Sequence, residues 1–385
     1  MFITRRVLIA LCIVSLASGP AWAKDRAPEK PPKPRIEMAI LLDTSGSMSG
    51  LINQARAQLW KVVNEFATAS RDGQAPSVYV ALYEYGKDSL PAEEGYMRMI
   101  VPLTDDLDRV SEELFKLTTN GGSEYCGQAI DQATRELAWS KSNRDLKCIF
   151  IAGNEPFTQG PIPFRDACHK AASAGITVST IFCGDHNLGI RTQWAEGAKL
   201  ADGSYMSINQ NQVVQSIDAP QDAELTRLSS ELNKTYVAYG TLEAQQKARD
   251  RQAAQDQNAA KSAPASASAR AAFKGSHLYS NAGWDLVDAC RLGKVKLEEI
   301  PEDQLPESLK KLSKAERKKF VEAKQKQRIA IQEKIQELSA ERSKYIATEL
   351  KKQQAEGDNS LDKAIIDAAR SQALKKEFNF SPPTP

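Results

Sequence analysis

The sequence has few histidines and cysteines, and its positive and negative charges nearly balance. Only three histidines and six cysteines occur among its 385 residues, and no two cysteines have the C-x-x-C spacing of a structural zinc site. The formal net charge is +2, and it falls to 0 if Arg5 and Arg6 are removed. Because a neutral chain has no general electrostatic attraction for phosphates, we expect no nucleic-acid partner.

The sequence also lacks a hydrophobic run long enough to cross a bilayer as a helix. The N-terminal apolar stretch, residues 7–16, is too short for this, and no second candidate follows. It comes after Arg5 and Arg6 and before the small-residue sequence Ala-Trp-Ala, which is typical of a secretory signal peptide cleaved after Ala23. The paired arginines leave general secretory and twin-arginine export both open. We therefore predict a periplasmic or secreted protein with no membrane span after cleavage.

The most informative stretch is I-E-M-A-I-L-L-D-T-S-G-S-M, residues 36–48. Its apolar run has the length of a buried strand and ends in Asp43, which Ser45 and Ser47 follow at alternate positions. One carboxylate and two hydroxyls can then point at a common centre, and such hard oxygens suit Mg²⁺, Mn²⁺ or Ca²⁺. The alternative is a simple strand-to-helix turn in which Asp or Ser caps the helix.

Strands and helices are predicted to alternate as far as Pro220. Pro102 favours an edge position for the third strand, because proline cannot donate to a sheet ladder. The alternation predicts a doubly wound α/β fold with a mainly parallel sheet. The predicted strands are residues 38–42, 77–85, 96–103, 146–152, 176–183 and 204–208, and the predicted helices are residues 51–66, 105–117, 128–139, 163–174, 192–200 and 212–217.

Residues 36–219 resemble a von Willebrand factor A (VWA) domain, and D-T-S-G-S-M resembles the first loop of its metal-ion-dependent adhesion site (MIDAS). The resemblance implies that three loops hold a divalent cation, which bridges to an acidic side chain of a partner protein. Asp43, Ser45 and Ser47 match the first loop.

The other two loops of the resemblance match less completely. In the second loop Ser123 replaces the family's threonine and keeps a hydroxyl. In the third loop Gly153 stands where the family has an aspartate, which leaves Asn154 and Glu155 as substitute ligands. The site would then carry fewer fixed negative charges, and its cation affinity would fall.

The flanking segments are predicted from composition and capping signals. Ser313 and Glu316 form a capping box that begins a long amphipathic helix at 313–352, with a heptad-like seam that suits a short coiled-coil contact or packing on its own chain. The remaining predicted segments are a Pro- and Lys-rich lead at 24–35, a helical extension at 220–260, a flexible linker at 261–272, and a helical region at 273–380 with a last helix near 361–375.

Five cysteines remain after cleavage, and one of them could be reactive. Cys126 follows a Gly-rich loop at a predicted helix N-terminus, where a thiolate is favoured. A buried or disulfide-bonded cysteine is the alternative, and an odd number of cysteines leaves the connectivity open. The five are Cys126, Cys148, Cys168, Cys183 and Cys290.

These patterns predict an exported adhesion or scaffold protein that binds another protein and catalyses no reaction. The binding would use the loops around Asp43, with Mg²⁺, Mn²⁺ or Ca²⁺ as a possible cofactor. One alternative is a metal-free structural scaffold whose C-terminal helices make the contacts. A thiol-dependent enzyme that uses Cys126 is another.

Overall fold

The computed structural model describes residues 32–211, 217–352 and 360–380. The described residues from Lys33 onward belong to one compact unit. The predicted signal peptide, most of the lead at 24–35 and nearly all of the predicted helix 212–217 lie outside the described residues.

A six-stranded sheet forms the centre of the fold, in the order β4-β3-β1-β5-β6-β7. All neighbours pair in parallel except β4, which runs antiparallel at one edge. Pro102 lies on this edge strand, so the edge prediction is confirmed. The strands are β1 Arg35–Asp43, β2 Ala69–Ser70, β3 Ser77–Tyr85, β4 Met97–Thr104, β5 Leu146–Gly153, β6 Thr177–Cys183, β7 Tyr205–Ile208 and β8 Asn379–Phe380.

Helices cover both faces of the sheet, because both sets of alternating side chains on the central strands are apolar. Met38 and Leu42 belong to the core that contains α1 and α13, and Ala39 and Leu41 belong to the core that contains α3 and α4. The predicted doubly wound α/β fold is confirmed. The helices are α1 Ser49–Ala67, α2 Leu107–Lys116, α3 Cys126–Glu136, α4 Phe164–Ser173, α5 His186–Arg191, α6 Trp194–Leu200, α7 Asp222–Asn233, α8 Leu242–Ser262, α9 Pro264–Gly275, α10 Leu286–Arg291, α11 Glu307–Lys310, α12 Lys314–Lys352 and α13 Leu361–Lys375.

The long predicted helix and its capping box are confirmed in α12. Glu316 accepts a hydrogen bond from the backbone N–H of Ser313 over 2.8 Å, as the reciprocal cap requires. The helix packs on α7, α9 and α10 of its own chain. Its buried Arg328 forms an ion pair with the fully buried Asp285, with 2.7 Å between Nη1 and Oδ2.

The C-terminal end of the described chain returns to the sheet. Helix α13 has the predicted bounds, 361–375, and it packs on α1 and on β5, β6 and β7. Strand β8 then pairs with β2. The C-terminal helices are therefore part of the same packed body as the sheet.

The structure differs from the prediction of a flexible linker at 261–272, where α8 runs on to Ser262 and α9 begins at Pro264. The Ala- and Ser-rich composition suggests a linker, but small side chains also let two helices approach closely. Ser266 and Ser268 are buried, and the Ser266 hydroxyl donates to the carbonyl of Ala57 in α1. Proline is favourable in the first turn of a helix, so Pro264 does not oppose α9.

A search of the described helices for one both long and apolar enough to cross a membrane found none.

Candidate functional site

The candidate site lies at the carboxyl ends of β1 and β5. These two strands are neighbours. Strands β3 and β4 lie on one side of β1, and strands β5, β6 and β7 lie on its other side. Ligand sites of open α/β sheets occur at such a reversal of strand order. Asp43, the last residue of β1, is fully buried there.

The Asp43 carboxylate is only half satisfied. Its Oδ1 accepts a hydrogen bond from the backbone N–H of Ser45 over 2.7 Å. Its Oδ2 is buried and has no hydrogen-bond partner of ordinary geometry among the described residues, although the backbone of Asn154 is close enough to the carboxyl to lower its pKa against the larger effect of burial. A buried carboxylate oxygen without a partner is costly, and such an atom is a position where a cation would be stabilised.

The third loop brings Asn154, one of the two predicted substitute ligands, to the site. The Asn154 side-chain amide donates to the Ser47 hydroxyl over 3.2 Å, which places the third loop against the first. Its amide oxygen, Oδ1, is buried and has no hydrogen-bond partner in the described part of the chain. Beside the first loop there is thus a neutral oxygen without a partner in addition to the Asp43 carboxylate oxygen.

Glu155, the other predicted substitute, interacts with the site through its charge. Burial is the main cause of the raised pKa of both Asp43 and Glu124, and repulsion from Glu155 raises both further. Its backbone is fixed, because the indole N–H of Trp194 donates to the Glu155 carbonyl over 2.8 Å.

The second loop brings Glu124 rather than Ser123 to Asp43. In the described part of the chain, no hydrogen bond joins Ser123 to the first loop, although the backbone N–H of Asn120 donates to the Thr44 carbonyl over 3.0 Å. Glu124, by contrast, is buried, and its carboxylate interacts with the Ser45 side chain. The sequence analysis missed this residue, although an acid beside a Gly-rich loop was a signal for it.

The space around Gly153 leaves no room for a side chain at this position. A Cβ at this position would lie 2.5 Å from the Tyr85 hydroxyl and 3.1 Å from Asp43 Oδ2. The hydroxyl is held in place because it donates to the Ala152 carbonyl over 2.9 Å. Tyr85 therefore occupies the space that a side chain at position 153 would need.

Burial of the acids dominates the electrostatics of the site, and repulsion between them adds to it. Burial raises the pKa of the Asp43 carboxyl to about 7, while the hydrogen bonds from Ser45 lower it. Burial, Asp43 and Glu155 together raise the pKa of Glu124 to about 7. None of the ion pairs found among the described residues includes any of these three carboxylates.

The residues present fit a hard divalent cation. Within the described residues, a buried carboxylate oxygen and an amide oxygen lack partners, two serine hydroxyls lie in the same loop, and no positive side chain pairs with the acids. Among the described residues no three His, Cys, Asp or Glu side chains are arranged around one metal position. Hydroxyl and amide oxygens would therefore have to complete the ligand set.

The thiol alternative finds no support at Cys126. The side chain is buried, and burial raises the pKa of its thiol well above the ordinary value, whereas a nucleophile needs a lowered one. Its side-chain partner is the Tyr85 hydroxyl at 3.9 Å, and none of the described histidines contacts it. None of the five described cysteines forms a disulfide.

Comparison with known proteins agrees with this architecture. Residues 37–217 match the family model of the von Willebrand factor type A domain. A search of curated proteins found no match.

Several solved structures are similar to part of the chain. The conserved hypothetical protein BatB from Bacteroides thetaiotaomicron has 19% identity and a TM-score of 0.35, and the match covers 52% of this chain and 98% of that one. The aerotolerance-related membrane protein from Bacteroides fragilis has 18% identity and a TM-score of 0.31, over 46% and 93% of the two chains. Proximal thread matrix protein 1 from the mussel byssus, with a zinc-occupied MIDAS motif, has 11% identity and a TM-score of 0.34, over 46% and 42%.

Proposed function

Because residues 37–217 form a VWA domain, a module that typically mediates protein interaction or adhesion, we propose that this chain binds another protein through the loops around Asp43. The observation that carries the proposal is the buried Asp43 Oδ2 without a partner, at the edge of the sheet where such folds bind ligands. No catalytic step is part of the proposal.

In the proposed complex, Asp43, Ser45 and Ser47 hold a divalent cation together with oxygens of the second and third loops. Asn154 supports the first loop through Ser47 and offers its amide oxygen, and Glu155 adds negative charge to the rim. We assign the second-loop hydroxyl of Ser123 only an outer position, because it makes no hydrogen bond to the first loop among the described residues. The cation, Mg²⁺, Mn²⁺ or Ca²⁺, would supply a positive centre that accepts an acidic side chain of the partner.

The absence of an aspartate at Gly153 makes the partner's carboxylate more important. Cation affinity depends on the number and charge of the ligands, so a site with one acidic loop residue fewer gains more from a carboxylate that arrives with the partner. We therefore expect cation and partner to bind cooperatively at Asp43.

Export belongs to the same proposal. The basic start, the apolar stretch and the cleavage sequence before Lys24 indicate that the protein acts in the periplasm or outside the cell. Cell fractionation followed by N-terminal sequencing tests this. A mature chain that begins at Lys24 is expected, and an uncut cytosolic chain would contradict export.

The binding proposal is tested by capture of exported proteins on the immobilised wild-type protein and on Asp43→Ala. Wild type is expected to retain a specific partner in Mg²⁺ and to release it in EDTA, and Asp43→Ala is expected to retain none. Retention that survives both EDTA and Asp43→Ala would contradict the proposal and would favour the alternative in which the C-terminal helices make the contacts.

A further inference from the structure

Because Gly153 stands where VWA domains have an aspartate, the site has one carboxylate fewer. The structure shows a candidate replacement on a different loop. Glu124 follows the Gly-Gly-Ser sequence and stands two residues before Cys126, the first residue of α3. Its side chain is only 5% exposed, although a glutamate at a loop end is ordinarily solvated. Something in the fold holds this carboxylate inside.

Gly86 provides the space in which Glu124 meets Asp43. A Cβ at Gly86 would lie 2.8 Å from Glu124 Cγ and 2.9 Å from Asp43 Oδ1. Both acidic side chains therefore reach the same small space, which is open only because residue 86 has no side chain. The φ of +77° at Gly86 also suits glycine and few other residues.

The loop that carries Glu124 is fixed relative to the first loop. The backbone N–H of Asn120 donates to the Thr44 carbonyl, and the N–H of Cys126 donates to the Glu124 carbonyl over 3.1 Å. Glu124 also interacts with Ser45, the middle residue of the first-loop ligand set. The backbone around Glu124 is thus tied to the first loop, and the Glu124 carboxylate itself interacts with Ser45.

Two ionised buried carboxylates near each other, with no cationic side chain paired to either in the described chain, are unfavourable unless a proton or a metal cation neutralises part of their charge. The unpartnered Asp43 Oδ2 is an independent sign that this charge is missing. We propose that Glu124 is a cation ligand of this site and that its carboxylate replaces the negative charge absent at Gly153. This assignment rests on the proposed function, since it concerns the same cation.

Glu124 then accounts for the composition of the second loop. The residue that matches the family's threonine, Ser123, makes no hydrogen bond to the first loop in the described structure, whereas the next residue points a carboxylate at it. The net charge of the ligand set is restored, with the acid supplied from the second loop instead of the third. A site with Asp43 and Glu124 should prefer hard divalent cations.

The test is a titration of the full chain with Mn²⁺, in which electron paramagnetic resonance measures the concentration of the free ion. The variants are Glu124→Gln, Ser123→Ala and the matched control Glu136→Gln, which makes the same change at the exposed end of α3. Glu124→Gln is expected to weaken Mn²⁺ binding by at least about tenfold, since affinity follows ligand charge, and by more than Ser123→Ala does. Glu136→Gln is expected to bind as wild type does.

The outcomes separate this inference from the proposed function. If wild type binds Mn²⁺, Asp43→Ala does not, and Glu124→Gln binds as wild type does, the inference is wrong and the proposed function stands. If folded wild type binds no Mn²⁺, both are wrong. Circular dichroism reports whether each variant folds, and Glu124→Asp, which keeps the charge but withdraws it by one methylene, is expected to give a smaller loss than Glu124→Gln.

Discussion

Restoring the family's aspartate by Gly153→Asp is expected to damage this domain. The new Cβ would lie 2.5 Å from the Tyr85 hydroxyl, which is closer than carbon and oxygen can approach without movement. Overpacking of a core position costs about 1–3 kcal/mol. The new Cβ would also lie 3.1 Å from Asp43 Oδ2, so a further carboxylate beside it adds repulsion in the absence of a cation. We therefore expect the free energy of unfolding to fall by about 3 kcal/mol or more in EDTA.

The Tyr85 hydroxyl is the specific obstacle, so its removal should rescue the variant in part. Tyr85→Phe alone loses the hydrogen bond to the Ala152 carbonyl and should cost about 1 kcal/mol. In the Tyr85→Phe background the additional cost of Gly153→Asp should be smaller by about 1–2 kcal/mol, because the nearest atom is gone.

The free energies of unfolding of the wild type, the two single variants and the double variant are measured by urea denaturation in EDTA. The difference between the cost of Gly153→Asp in the wild type and its cost in the Tyr85→Phe background is the coupling energy of the two positions. If Gly153→Asp is as stable as wild type, or costs the same in both backgrounds, the argument that Tyr85 excludes a side chain at position 153 is refuted.

Two further predictions concern groups away from the cation. Burial lowers the pKa of Lys274 to about 8 in the folded protein, against 10.5 ordinarily, so between these values the unfolded chain binds more protons and stability rises with pH. The free energy of unfolding of wild type relative to Lys274→Met should therefore increase by about 2 kcal/mol from about pH 7 to about pH 10, measured by urea denaturation, and a difference that is constant or falls would contradict the buried ammonium. Cys126 should react slowly with a thiol reagent at neutral pH in the folded protein and fast in denaturant, because its thiol is buried and its pKa is raised. Rapid labelling of Cys126 in the native state, read by mass spectrometry against the other cysteines, would revive the enzyme alternative.

The sequence predicted those parts of the fold that depend on local pattern. Residues 77–85 and 361–375 have the predicted bounds, because β-branched density and helical periodicity are properties of a single segment. The edge position of β4 followed from Pro102. The segment predicted as a flexible linker, 261–272, is instead helical in the structure, where α8 runs on to Ser262 and the small residues of α9 pack on α1 and α7.

The candidate site was predictable only in its first loop. The spacing of Asp43, Ser45 and Ser47 lies within one short segment, so a motif reveals it. The exclusion of a side chain at Gly153 depends on Tyr85, and the burial of Glu124 depends on Gly86, which are contacts between residues distant in sequence. Such contacts leave no periodic pattern in the sequence, so they can be identified only in the folded structure.

The most direct measurement is a calorimetric titration of the purified protein with Mg²⁺ and Mn²⁺, with Asp43→Ala as the control. We predict saturable binding of one cation to wild type and none to Asp43→Ala, because the unpartnered carboxylate oxygen of Asp43 is the centre of the site. The absence of binding to a folded wild type, or equal binding to both proteins, would contradict a cation site at Asp43.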